Sequence, residues 1–178
     1  MQKILQRAKT ILAELKNRKI VKKEAVENIL YKKTGYKTGS QTPANLSEFE
    51  AFPKDGFWGG ECDSHAWFYF KITAGQNKSG KVEQKNIYTA LEITTNCSLE
   101  SSATSPQFLL YINGKEILGG DNNHFVFPLA EGDYDIFVYG YTGMKIDKKL
   151  TFTPHIITVD GDVEQLIYDL EVPVELLE

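Results

Sequence analysis

FWGGECDSHAWFYF, residues 57–70, decides how the rest of the chain is read. Its second half is a dense run of aromatic side chains of strand length. On a strand, Trp67, Tyr69 and Lys71 point one way and Phe68, Phe70 and Ile72 the other, the pattern of a sandwich core or a domain interface. Its first half holds Gly59-Gly60, which allow close backbone approach to a packed neighbour or a ligand. Trp58, beside them, is the aromatic side chain most expected to stand exposed.

Working outward, β-rich runs follow at 87–94, 108–112, 124–129, 134–141 and 150–159. Polar, glycine-containing turns divide nearly all of them. Asn113-Gly114 carries the strongest hairpin pattern, because a type I′ turn needs positive φ at both central residues. Glu131-Gly132-Asp133 is a second turn. Six or more short strands without helices between them favour an antiparallel β-sandwich or jelly roll over a parallel sheet. The sandwich is expected over 57–161.

Upstream, Ile4, Leu5, Ala8, Ile11, Leu12 and Leu15 recur at helical spacing, and Ile20, Val21, Val26, Ile29 and Leu30 suggest a second helix. Residues 1–33 therefore read as a helical arm that needs a packing partner. Residues 34–56, rich in Gly, Pro and short polar side chains, read as a connecting segment. Downstream, Val163, Leu166, Ile167, Leu170, Val174 and Leu177 form a helical stripe over 162–178, interrupted by Pro173. It stops without a glycine cap, so a longer natural protein is expected.

Composition excludes several classes of function. Of 178 residues, 42% are hydrophobic and 25% charged, as in a globular domain. No run of about 18 apolar residues and no secretory leader is present, so a cytoplasmic protein with no membrane partner is expected. Cys62 and Cys97 match no zinc or disulfide spacing and read as reduced thiols. The net charge of −4 divides into about +8 over residues 1–37 and about −12 over the remainder. The basic residues lack interleaved aromatics, so they read as a solvated or domain-docking helix face, with no nucleic-acid partner expected.

Asp63-Ser64-His65 and Asp121-Asn122-Asn123-His124 each place a carboxylate near an imidazole. Three readings stay open: hydrogen bonding to nearby backbone in turns, a polar cluster facing a sugar or partner, and a four-ligand metal site, which has the least support. Asp133 with Asp135, and Asp160 with Asp162, have the spacing of paired carboxylates, yet each pair adjoins a turn and reads more simply as solvated. Sugar binding is the functional alternative to the core reading of the aromatics, since ring faces stack on sugar C–H surfaces.

Taken in order, WGGECDSHAWF, PQFLLYINGKEILGGDNNH, Tyr139 to Gly143 and LIYDLEVPVELL resemble the β-sandwich domain that precedes the catalytic domain in bacterial family 38 glycoside hydrolases. These are the retaining, zinc-dependent α-mannosidases. The resemblance covers about residues 55–175 and implies a galactose-binding-like sandwich whose last helix leads into a missing catalytic domain. It implies a parent that hydrolyses terminal α-linked mannose, with zinc and an Asp nucleophile supplied downstream. No His-x-Asp motif occurs here, so no catalytic residue, metal ligand or cofactor is assigned to this chain. The expected role is structural, packing on the catalytic domain or on other subunits of a homo-oligomer. The alternative is a module that tethers mannosides through Trp58, Asp63, His65, Asp121 and His124.

Overall fold

The computed structural model describes residues 2–36, 42–75, 86–96, 106–121, 126–144 and 147–177. Its elements are α1 (Gln2–Arg18), β1 (Ile20–Ala25), β2 (Leu30–Thr34), β3 (Glu50–Ala51), β4 (Trp58–Gly59), β5 (His65–Ala74), β6 (Ile87–Thr94), β7 (Gln107–Ile112), β8 (Lys115–Gly120), β9 (Val126–Leu129), β10 (Gly132–Tyr141), β11 (Lys149–Leu150), β12 (Thr153–Asp160) and α2 (Gly161–Leu176). One sheet has the order β1-β12-β6-β9, the other β3-β2-β5-β10-β7-β8, and β11-β4 forms a small ribbon. Every pairing is antiparallel. The chain is a β-sandwich with a helix at each end.

Side-chain parity builds the core. Phe68, Phe70 and Ile72 of β5 point inward with Ile136 and Val138 of β10 and Phe108 and Leu110 of β7. They meet Leu91, Ile93, Phe127 and Leu129 of the smaller sheet. Phe152 lies flat on Phe68, with ring centroids 3.8 Å apart. The opposite parity, Trp67 and Tyr69 with Tyr111, Phe137 and Tyr139, paves the outer face of the larger sheet. Both faces of β5 are therefore apolar, as its sequence requires. Asn113 and Gly114 have φ of +50° and +77° and turn β7 into β8. The Glu131-Gly132-Asp133 turn instead carries the chain from β9 in one sheet to β10 in the other.

The N-terminal third corrects the sequence reading. Only α1 is helical, and the expected second helix is two strands. β1 pairs with β12, β2 pairs with β5, and the link crosses between the sheets through Asn28 at φ +56°. Val26 and Ile29 in that link pack on the core. Tertiary pairing here overrides the helical propensity of Lys22-Lys23-Glu24-Ala25. Lysines on β1 suit its position at a sheet edge. The connecting segment is also part of the body: β3 pairs with β2, and Phe52 packs 5.4 Å from both Tyr31 and Phe68. The sandwich thus starts at Ile20, well before residue 57.

The helical arm finds its partner within the chain, since α1 packs against α2 with Leu12 buried. Lys16 pairs with Glu171, and Lys19 lies 3.3 Å from Glu164, so part of the basic face answers acids of α2. Asp160 caps α2 by accepting from the backbone N–H groups of Asp162 and Val163, both at 3.1 Å. The helix runs through Pro173 without stopping. Ile167 is buried, whereas Leu166, Val172, Leu176 and Leu177 are exposed. Among the described residues, no helix is long and apolar enough to cross a membrane.

Candidate functional site

A cleft of about 470 Å³ opens on the outer face of the larger sheet, at the end where β5 and β7 begin and β8 and β10 finish. The pairing of β5 with β10 sets Tyr141 directly opposite His65. Their rings stack at 4.7 Å and 14°, and Tyr139 stacks on the same imidazole at 5.6 Å and 23°. Tyr36 stands edge-on to it at 5.9 Å. Asp63, Asp121 and Gln107 supply polar groups, and Gly119 and Gly120 leave the wall formed by β8 free of side chains.

Local geometry fixes these groups before any ligand arrives. Asp63 has a left-handed backbone, φ +58°, held by its N–H bonding to the Gly143 carbonyl at 3.0 Å. Next to it the Ser64 N–H donates to Thr142 Oγ1, and the Thr142 N–H donates back to the Ser64 carbonyl, each at 3.0 Å. The loop before β5 is thereby clamped to the segment after β10. Gly59, at φ +73°, belongs to this clamp: a Cβ there would lie 2.8 Å from Thr142 Cγ2.

His65 is buried and held from both sides. Tyr139 Oη lies 2.7 Å from Nδ1, and Asp63 Oδ1 lies 3.5 Å from Nε2. The nearby carboxylate favours the proton on Nε2, which leaves Nδ1 to accept from the Tyr139 hydroxyl. Asp63 also takes the Tyr141 hydroxyl. Burial first, then that carboxylate, holds Tyr141 above the ordinary tyrosine value. With both ring nitrogens facing these partners, His65 acts as a fixed aromatic wall, a poor arrangement for metal ligation. Among the described residues, no group of three His, Cys, Asp or Glu is arranged to hold a metal.

The structure brings together three of the five site residues expected from sequence: Asp63, His65 and Asp121 line one cleft. His124 lies outside the described residues, as does Cys97. Trp58 is a correction. It is only 2% exposed, packed at 5.6 Å on Phe68 and over Gly140, with its indole N–H donating to the Thr151 carbonyl. The residue belongs to the core because β4 pairs with β11 and draws it inward.

Tyr36, Gln107, Tyr139 and Tyr141 were missed as site residues. Tyr139 and Tyr141 share the parity of Phe137, a pattern that becomes a site only once β10 is known to pair with His65. Tyr36 sits in the stretch read as a connector. The carboxylate pairs are structural: Asp160 caps α2, Asn86 bonds Asp162, Asp133 accepts from Thr73 at 2.6 Å, and Asp135 accepts from Tyr69 at 2.6 Å. The Tyr69 hydroxyl first, and then Lys71, hold the Asp135 carboxyl below the usual carboxylate range. Cys62 is an exposed free thiol.

No protein-family model matches the chain, and no curated protein sequence matches it either.

Proposed function

We propose that this chain is the non-catalytic sandwich domain of a cytoplasmic family 38 α-mannosidase, which packs on a downstream catalytic domain and supports its active-site surroundings or subunit contacts. One observation carries the reading. The segments with the family's wording lie far apart in sequence, yet three of the four contribute residues to a single cleft: His65 from the first, Gln107 and Asp121 from the second, and Tyr141 from the third. Packing alone has no need of polar side chains at that end of the sheet, so their convergence fits a shared functional ancestry. The exposed apolar residues of α2 add support, because a helix leading into another domain would bury them there.

In this reading zinc and the Asp nucleophile belong to the catalytic domain, and this chain supplies no ligand to the metal. The test is the source gene beyond codon 178. The expected result is an open reading frame that runs on into a His-x-Asp motif, together with α-mannosidase activity of the whole product. A stop codon at that point, or a downstream domain of another kind, sinks the assignment.

A further inference from the structure

We propose that the cleft walled by Tyr36, His65 and Tyr141 and edged by Asp63, Gln107 and Asp121 is a binding subsite for one neutral pyranose. Its volume falls within the range of small-molecule sites, about 300–1,000 Å³. The wall is rigid, since His65 is held between Asp63 and Tyr139 and stacked on Tyr141. A sugar that docks there loses little to the ordering of protein side chains. Tyr36 is 80% exposed at the mouth and belongs to neither core cluster, so its ring is available to cover the C–H face of a ligand.

The polar groups select against other ligand classes. Among the described residues, two carboxylates and no Lys or Arg line the cleft, which disfavours anions. An organic cation is the competing class, because aromatic rings and carboxylates together attract ammonium groups. That class needs open ring faces around one point. Here a face of Tyr141 is taken up by the imidazole, the Tyr139 hydroxyl is committed to Nδ1 of that ring, and Asp63 already accepts from the Tyr141 hydroxyl. Carboxylates at the edge of a cleft with aromatic walls suit paired sugar hydroxyls, which donate without bringing charge.

The inference goes beyond the family reading and rests on it only for the first sugar to try. The whole chain is titrated with methyl α-mannopyranoside, methyl α-glucopyranoside and methyl β-galactopyranoside, and separately with methylguanidinium, while amide shifts are followed by NMR. The expected result is saturable shifts around residues 63–65 and 139–143 with a Kd of about 1–10 mM for at least one sugar. Tyr36→Ala, at an exposed position, should weaken binding about tenfold or more with melting unchanged. Asp63→Asn should do the same, since Asn tolerates the left-handed backbone. No saturable shift with any sugar overturns the proposal, as does binding of methylguanidinium alone or sugar binding that both variants leave intact. A parent gene without a His-x-Asp motif would remove the family assignment and leave this outcome standing.

Discussion

Trp58 and Gly140 are matched by the absence of a side chain on one of them. A Cβ on Gly140 would lie 3.1 Å from the Trp58 ring and 3.3 Å from Phe68, both fixed in the core. Gly140→Ala should therefore cost about 1–3 kcal/mol through overpacking, read as a lower denaturant midpoint. Gly119→Ala is the control, because its Cβ would meet only ordinary contacts beginning at 3.8 Å. Equal midpoints for the two variants would mean that Trp58 is not locked. His155 gives a second prediction at this scale. Burial first, and Lys23 next, push its imidazole below the ordinary histidine value of 6.5, with Glu92 opposing. The folded chain keeps it neutral while the unfolded chain takes up a proton, so stability should fall as pH drops below about 6.5. His155→Gln should flatten that slope in urea melts between neutral pH and pH 5. An unchanged slope would assign the acid sensitivity elsewhere.

At the level of elements, the best test concerns the stretch between β2 and β4. If Phe52 were in a linker, its removal would be silent; packed on Tyr31 and Phe68, Phe52→Ala should cost about 2–4 kcal/mol. Asp160→Ala, which removes the cap of α2, should cost about 1 kcal/mol, and Asp160→Asn much less. The same elements show what was legible beforehand. The two-faced burial of β5 could be read because adjacent aromatics leave no polar face, and the β7–β8 turn because Asn113-Gly114 specifies its own backbone. β1 and β2 were hidden. Ile20, Val21, Val26, Ile29 and Leu30 fit a helical stripe as well as two short strands, and only pairing with β12 and β5 separates the alternatives. The cleft was half legible for a related reason: Asp63, His65 and Asp121 stood out as polar groups, whereas Tyr139 and Tyr141 become its walls only through register.

For the whole molecule, charge and apolar surface divide between the helices and the sandwich. Ion pairs from Lys16 and Lys19 to α2 answer part of the basic face of the N-terminal region. Leu166, Val172, Leu176 and Leu177 remain exposed along α2. The isolated chain should self-associate as concentration rises, and a Leu166→Ser, Val172→Ser double variant should do so less, as sedimentation velocity would show. A chain that stays monomeric at NMR concentrations would mean that this face needs no cover.

The pairing of β1 with β12 also bears on the order of synthesis. The first strand to leave the ribosome waits for one of the last, and β6 too lacks its central neighbour until residue 160 has emerged. The larger sheet can assemble earlier, since β10 completes its pairing with β5 and β7 by residue 141. Translation should thus produce a half-formed sandwich with an uncovered inner face, which the final strand closes, and nascent chains stalled before β12 should be the ones that chaperones and proteases find.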